Sequence, residues 1–224
     1  LTHWGWLAAR TDPDVPKHKG ISTFVVPMNL PGINILPLVN MAGHHGFNQV
    51  YFDNVRIPKG YLVGELNRGW YQLAVALDFE RSSSGGVARA RRILDDVMQF
   101  VRENRSLLEG QPALRHSLAE AVIEVEVGQQ LAYRVMSMQE AGQVPNYEAS
   151  ISRVYAAELD QRVARLGINL LGLYGQLHRK SRWAKLKGRM ERAYLGSVGD
   201  TIAAGTSEIQ RNIIATRGLA LPRD

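Results

Sequence analysis

Glu80 is the residue whose sequence surroundings most clearly suggest chemistry. It follows Leu77 on a stripe of apolar residues with helical spacing, so a helix would carry this carboxylate on its buried face. The small residues 82–86 occupy the next turn of that face and imply space for a bound group. A carboxylate beside such a space is a candidate general base. Alternatively, Glu80 lies at the rim of the stripe and pairs with a neighbouring cation, and the pattern leaves both interpretations open.

A second candidate is the start of a helix near the end of the chain. Ser207 and Gln210 have the spacing of a capping box, and Ile209 with Ile213 would supply the inward stripe of that helix. The free N–H groups of a helix start favour oxygen acceptors, and Gly205 permits close approach of a ligand to the backbone. A plain structural cap has the same pattern, so both interpretations stay open.

Other chemistries find little support in the sequence. The six histidines form no H-x-x-x-H pair, and cysteine is absent, so no metal site is predicted. The sequence contains no G-x-S-x-G, Walker A or G-x-G-x-x-G motif. The basic stretch 178–189 has one tryptophan and no aromatic interleaving, which favours a solvated connection over a nucleic-acid surface.

Composition is that of an ordinary globular protein. The chain has 224 residues, of which 45% are hydrophobic and 21% are charged, with a net charge of +6. The basic excess could serve nucleic acid, a membrane surface or a phosphorylated ligand, although a solvated surface accounts for most such charges. No apolar run approaches the roughly 20 residues that span a bilayer, so no membrane association is expected. The absence of cysteine is compatible with a cytoplasmic location.

The elements that must position these candidates are strands first and helices afterwards. Short β-branched and aromatic runs separated by Pro, Gly, Asn and Asp predict strands at 21–26, 33–36 and 50–52, with a further one at 4–9. The run at 4–9 has nothing before it to pair with. We therefore expect the chain to be the back part of a longer protein.

Helical spacing begins at about residue 67. The first apolar stripe runs from Trp70 to Val101, and a third runs from Ile151 to Leu170 before glycines interrupt it. The second, between residues 114 and 135, alternates spacings of four and three, close to a heptad seam. The predicted class is α+β, with a partial β-barrel or sheet segment at 1–63 followed by an up-down helical bundle at 64–224.

Several motifs along nearly the whole chain together resemble the acyl-CoA dehydrogenase family. They are Ala9–Asp12, His18–Ser22, Phe52–Pro58, Val63–Glu65 with Gly69-Trp70, Leu77–Arg81, and the closing run Gly205–Ala215 with Leu219–Arg223. The first motifs resemble the second half of the family's middle β-domain, and Leu77–Arg81 resembles the start of its C-terminal helical domain. Each piece is modest, but their order and spacing are specific.

The resemblance implies α,β-desaturation of an acyl-CoA thioester with FAD as cofactor. A glutamate removes the α-proton while the β-hydrogen leaves as hydride to the flavin. Most members place that glutamate directly before the Gly-Thr-Ser of the closing motif, where this sequence has Ala204. Others carry it on the first C-terminal helix before an arginine, which makes Glu80, followed by Arg81, the preferred catalytic base here. Burial beside an acyl chain would raise the pKa of this base.

The resemblance also implies ligand contacts. Thr206, Ser207 and Glu208 would contact FAD, and Arg81 and Gly205 would line the thioester pocket together with Ala204, whose backbone N–H would bind the thioester oxygen. Arg105, with Arg102 as an alternative, would replace the family's flavin-binding arginine. Asn169, which begins the stretch corresponding to the family's Gln-Leu-Gly-Gly, would contact FAD as well. This stretch differs from the family pattern.

Partners follow from the same resemblance. The family implies an acyl-CoA substrate, electron-transfer flavoprotein or a similar acceptor, and homo- or hetero-dimers or tetramers formed through the C-terminal helices. The small residues 82–86 suggest a branched or ring-bearing acyl group. Two other functions remain to be weighed: a non-catalytic partner subunit of the same fold, favoured by Ala204, and a phosphate or nucleic-acid binder that uses the basic excess.

Overall fold

The chain divides into two compact units, Leu1–Leu77 and Asp78–Asp224. The structure, a computed structural model, describes residues 3–80 and 84–222, with side chains throughout these ranges except at 78–80 and 84. The domain boundary predicted after residue 63 marks the change from strands to helices. By packing, the division falls within the first helix.

Strands fill the first part of the chain and helices the second. Within the described residues the strands are β1 (Trp4–Arg10), β2 (Ile21–Pro27), β3 (Ile33–Val39), β4 (His45–Phe52) and β5 (Leu62–Val63). The α-helices described are α1 (Gly69–Glu80), α2 (Ser84–Glu103), α3 (Pro112–Glu140), α4 (Tyr147–Leu171), α5 (Arg189–Ser197) and α6 (Ser207–Ile213). Single-turn 3-10 segments lie at Lys59–Tyr61, Arg105–Leu108, Gly172–Gln176, Lys185–Gly188 and Val198–Thr201, and a π turn at Ile214–Gly218. This segregation confirms the predicted α+β class.

The first unit contains two antiparallel sheets. One has the strand order β1-β2-β5 and the other pairs β3 with β4 as a hairpin. The hairpin strand β4 begins at His45, five residues before the predicted strand, because its polar first half pairs with β3 all the same. The sheet β1-β2-β5 has a more buried centre, with Val26, Ser22 and Thr23 fully buried on β2.

The start of α1 is fastened to this sheet by buried polar groups. The Thr23 hydroxyl donates to the Gln72 side-chain oxygen at 2.6 Å, and the Asn67 amide donates to the Ser22 hydroxyl at 2.7 Å. Gly69 approaches the β2 backbone so closely that a Cβ would lie 2.7 Å from the Ser22 carbonyl carbon. A side chain here would push the helix off the sheet, so the first turn of α1 depends on this glycine.

The second unit is a helical bundle built on α2, α3 and α4. The heptad-like seam predicted for the second helix is confirmed: Leu118, Ala121, Val125, Gly128, Ala132 and Val135 are the buried residues of α3. They meet a core that includes Val97 of α2 and Leu159 and Val163 of α4. The seam forms because residues three and four apart share one face of a helix.

Helix α4 is the centre of this bundle. It packs against α2, α3, α5 and α6 and buries twelve residues, many of them small. Gly167 lets α5 approach, since a Cβ there would lie 2.3 Å from the Met190 sulfur, and Gly172, with φ +56°, ends the helix as predicted. Close packing on several sides leaves α4 little room for larger side chains.

The buried stripe expected on the first helix is wrong in part. Trp70 and Leu77 were expected on a buried stripe of one long helix, but they are exposed on α1, while Val87, Leu94 and Val101 of α2 are buried. The structure describes α1 and α2 separately, and residues 81–83 between them lie outside the described ranges. The helical spacing was therefore correct, but it spans elements with different surroundings.

Candidate active site

A sharp turn precedes α6 and gathers most of the candidate residues. Ala204 and Gly205 both have left-handed backbone conformations, with φ of +53° and +89°. Thr206 is the N-cap residue, since its hydroxyl accepts a hydrogen bond from the Ile209 amide at 3.3 Å. The capping box predicted with Ser207 as cap is therefore wrong, because Ser207 is already the first helical residue.

The inward face of α6 is polar. Gln210 is 1% exposed, whereas Ile209, which was expected to face inward, is 52% exposed. The Gln210 side-chain nitrogen donates to the Ala204 carbonyl at 3.1 Å, closing the turn back onto the helix. A Cβ on Gly205 would lie 2.3 Å from that nitrogen, so the closed turn requires glycine at this position.

Two buried oxygens at this turn have no hydrogen-bond partner within the described residues. They are the Ser207 hydroxyl and the Gln210 side-chain carbonyl. A buried polar atom without a partner costs roughly 1–3 kcal/mol. Groups of this kind in a native structure are candidates for ligand contact.

Beside the turn lies an open cavity of about 460 Å³. Its lining combines the start of α6 with one face of α4: Glu158, Gln161, Arg162, Arg165, Thr201, Ile202, Thr206, Ser207, Glu208 and Arg211. Arg211 is paired with Glu158 at 2.6 Å, and Arg162 with Glu124 at 2.9 Å. Arg165, the third guanidinium group of the lining, has no ion pair among the described residues, and such a group favours an anionic or phosphate-bearing ligand.

Glu208 is held as a carboxylate at the rim of this cavity. Its pKa lies below the ordinary value because its own backbone N–H and the Thr206 hydroxyl donate to the carboxylate, with a smaller effect from Arg211. The side chain is exposed. An ionised Glu208 repels the phosphates of a bound nucleotide. If Glu208 contacts a nucleotide, it should therefore contact the neutral base or sugar.

The segment before the turn is fastened by charged side chains. Arg153 of α4 donates from one terminal nitrogen to the carbonyls of Asp200 and Ala203, both at 2.7 Å. The Asp200 carboxylate binds Arg89 of α2 at 2.6 Å, and Arg89 also binds Asp160 at 2.8 Å. These contacts join α2, α4 and the turn into one hydrogen-bonded network.

Among the described acidic residues, Asp160 has the pKa that departs most from its ordinary value. It is 2% exposed, and burial raises its pKa to about 7, assisted by a hydrogen bond with Asp200 and opposed by the charge of Arg89. One of its two carboxylate oxygens has no hydrogen-bond partner among the described residues. The raised pKa favours the protonated form of this carboxyl group below about pH 7.

The structure brings together only some of the candidate residues. Ala204, Gly205, Thr206, Ser207 and Glu208 form the turn and the adjoining helix start. Three other candidates lie elsewhere in the chain. Glu80 is the last residue of α1, and its side chain is outside the described ranges. Arg81 lies wholly outside these ranges, and Arg105 is exposed in a 3-10 turn.

Asn169 lies apart from the turn. It is exposed and lines a smaller hollow of about 210 Å³, which shares Arg162 and Arg165 with the larger cavity. The hollow therefore continues along the same face of α4. This placement leaves the FAD contact of Asn169 a prediction.

Sequence reasoning missed the network of Arg89, Arg153, Asp160 and Asp200. A charged residue on a helix is by default a surface residue, and nothing in the spacing distinguished these four. A usable signal was the composition of α4, where small and apolar residues surround Asp160 on every side: Ala156, Ala157, Leu159, Val163 and Ala164. A charge whose helix neighbours are small and apolar lies on a buried face, so it needs a partner.

The bundle, the closed turn and the adjacent cavity belong to a known class of protein. The sequence model of the acyl-CoA dehydrogenase C-terminal domain matches residues 67–219, and the chain belongs to the acyl-CoA dehydrogenase family. Among its relatives, it is 30% identical over 229 residues to acyl-CoA dehydrogenase IpdE1 of Mycobacterium tuberculosis, covering 100% of this chain and 57% of the relative. Acyl-CoA dehydrogenase FadE26 of the same organism is 32% identical over 229 residues, with 97% and 57% covered.

Solved structures give the same result. A protein described as the Tcur3481-Tcur3483 steroid ACAD superposes with a TM-score of 0.92 at 32% identity, covering 99% of this chain and 57% of that one. The ChsE4-ChsE5 complex from Mycobacterium tuberculosis gives a TM-score of 0.88 at 31% identity, with 99% and 58% covered. The chain thus spans a little over half the length of these relatives.

Family membership confirms FAD as the cofactor, and the turn fits such a ligand. Among the described residues the Ser207 hydroxyl is buried without a partner, Gly205 leaves backbone accessible where any Cβ would collide, and three guanidinium groups line the cavity beside them. Each feature suits a ligand with phosphate and hydroxyl oxygens. None of the helices described is both long and apolar enough to cross a membrane.

Proposed function

We propose that the protein containing this chain is an acyl-CoA dehydrogenase that introduces an α,β double bond into an acyl-CoA thioester, with Glu80 as catalytic base. The observation that carries the proposal is the closed turn at 204–207, with an unpartnered hydroxyl beside an arginine-lined cavity, in a member of this family. Ala204 has no group that accepts a proton, so the base must come from elsewhere. Glu80, directly before Arg81, is our assignment.

The residues of the chain would divide the chemistry between them. The Glu80 carboxylate takes the α-proton, and the Ala204 amide N–H donates to the thioester oxygen as negative charge develops there. Losing the glutamate side chain at 204 leaves this backbone donor intact. FAD, when bound, supplies the acceptor for the hydride that leaves the β-carbon, so the two hydrogens removed from the substrate are both accounted for.

The cofactor contacts would come from the start of α6. Thr206 and Ser207 offer hydroxyl groups, and Ser207 is the better supported of the two because its hydroxyl has no partner among the described groups. Arg162 and Arg165 line the cavity beside the turn and would face the phosphates of the cofactor. We also propose that electron-transfer flavoprotein or a similar protein reoxidises the cofactor.

The acyl group we propose is branched or ring-bearing. The small residues 82–86 follow Glu80 in the sequence, and a solved relative with 32% identity is described as a steroid ACAD. Small residues so near the base in the sequence would leave width for a ring system. Turnover of a steroid side-chain CoA thioester against a straight-chain acyl-CoA of equal carbon number tests this choice.

The function is tested on the full-length protein by its flavin absorbance. We expect a yellow protein whose absorbance bleaches when an acyl-CoA is added. Glu80→Gln should keep the flavin and the acyl-CoA affinity while turnover falls by roughly 10²–10⁴-fold, the usual contribution of a general base. Glu140→Gln, at the exposed end of α3, is the matched control and should turn over normally.

A non-catalytic partner subunit is the second candidate. It is favoured by Ala204, and a solved relative is a complex of two differently named chains. Unchanged turnover in Glu80→Gln, measured with every co-purifying chain present, would reject Glu80 as base and favour this role. Dimers or tetramers are expected in both cases, since the exposed face of α3 includes Ile123 and Val127.

A further inference from the structure

Arg153 holds the segment before the turn by two hydrogen bonds. One terminal nitrogen of Arg153 donates to the Asp200 and Ala203 carbonyls at 2.7 Å each. These are short, charge-assisted hydrogen bonds. The same segment is held at its start by the Arg89–Asp200 ion pair.

The Ala203 carbonyl and the Ala204 amide belong to a single peptide unit. A peptide is planar and trans, so its C=O and N–H bonds point in nearly opposite directions. Fixing the carbonyl oxygen therefore fixes the direction in which the N–H points. Among the described residues, the Ala204 N–H has no recorded acceptor in the protein.

The following peptide is held as well. Gln210 donates to the Ala204 carbonyl at 3.1 Å, so side chains bind the peptides on both sides of Ala204. The positive φ of Ala204 costs about 1–2 kcal/mol for a residue with a Cβ, and surrounding contacts must maintain it. Arg153 and Gln210 supply these contacts.

We propose that Arg153 is a positioning residue, which aims the Ala204 N–H at the thioester oxygen and strengthens it as a donor. A cation on the carbonyl oxygen polarises the whole peptide, and a polarised N–H binds a developing oxyanion more tightly. The inference rests on the proposed function, because it assigns the oxygen that this N–H receives. Arg153 itself touches neither substrate nor cofactor in this account.

Amide hydrogen exchange tests the grip without any turnover. Within the segment, the Ile202 and Ala203 amides donate to the Gly199 carbonyl and should be protected. In Arg153→Met we expect their exchange to quicken at least about tenfold, while the α3 amides between 118 and 135 stay as in wild type. Arg115→Met, an exposed arginine of α3, should change neither. Unchanged exchange at 202 and 203 in Arg153→Met would overturn the inference.

The orientation of the Ala204 N–H is tested by the stretching frequency of the substrate carbonyl. An acyl-CoA with carbon-13 at the thioester carbonyl should show a lowered stretching frequency on binding to the full-length holoprotein. Arg153→Met should move this frequency most of the way back to the free value and lower kcat roughly 100-fold, with KM changed by less than about threefold. Arg153→Lys keeps a cationic donor and should recover at least a tenth of the wild-type kcat.

The outcomes separate the two proposals. A wild-type protein that binds acyl-CoA without lowering the carbonyl frequency contradicts the proposed function. A wild-type shift that survives unchanged in Arg153→Met contradicts the positioning role alone. If Arg153→Met does not fold, the comparison is made with Arg153→Gln, which keeps polar atoms and removes the charge, and wild-type exchange, frequency and kcat in that variant would overturn the inference.

Discussion

Replacing Gly205 by alanine tests the closed turn directly. The backbone at Gly205 has φ +89°, and a Cβ there would lie 2.3 Å from the Gln210 side-chain nitrogen. Gln210 is 1% exposed, so its side chain has little room to give way. Alanine therefore faces both a left-handed backbone and a collision.

The magnitude follows from three contributions to the free energy of unfolding. A left-handed backbone costs alanine about 1 kcal/mol. Displacing Gln210 breaks its 3.1 Å hydrogen bond to the Ala204 carbonyl, a net loss of about 1 kcal/mol. A buried amide left without a partner adds at least about 1 kcal/mol. Gly205→Ala should therefore destabilise the protein by roughly 3 kcal/mol.

The assay is urea unfolding followed by the helical circular dichroism signal. Gly142→Ala is the matched control, because Gly142 also has a positive φ, +73°, but nothing lies within 4 Å of its added Cβ. It should lose only about 1 kcal/mol, the backbone contribution. In addition, Gln210→Ala should cost less in the Gly205→Ala background than in wild type, since the colliding group is then absent. Equal losses for the two glycine variants, with additive effects of Gln210→Ala, would refute the collision.

Two further changes probe the bundle around the turn. Asp160→Asn should change how stability depends on pH, because the raised pKa of about 7 means that folded Asp160 keeps a proton that its unfolded form has released. The free energy of unfolding of the wild type, relative to the variant, should fall as pH rises from about 4 to about 7, by at most about 1.4 kcal/mol per pH unit, and then level off. A constant difference in unfolding free energy across this range would contradict the assignment. Leu159→Ala should cost about 3 kcal/mol because Leu159 is fully buried in the core, whereas Leu173→Ala, 80% exposed, should cost less than about 1 kcal/mol by the same urea assay.

The sequence was informative where one physical requirement dominated. On α3 the spacing identified the buried seam between 118 and 135, because that helix buries a single face. Gly172 was recognised as the end of α4 because a left-handed residue there strongly favours glycine. The family resemblance, which combined weak motifs by their order, was confirmed by the match of residues 67–219.

The sequence was less informative where several requirements compete. Thr206 and Ser207 are both good capping residues. In the structure Thr206 is the cap and Gln210 binds the Ala204 carbonyl, a contact that no local pattern reveals. The apolar character of Ile209 suggested an inward position, but the inward position is taken by Gln210. Propensity ranks residue types one at a time, whereas this turn is decided by the pairing of groups.

The two long helices at the heart of the bundle should differ in how freely they can change during evolution. α3 buries six of its 29 residues, along one seam, so most of its surface can drift in sequence. α4 buries twelve of its 25 residues and includes Arg153 and Asp160 of the network behind the turn. Substitutions on α3 should therefore disturb the folded state less often than substitutions on α4, which frames the turn.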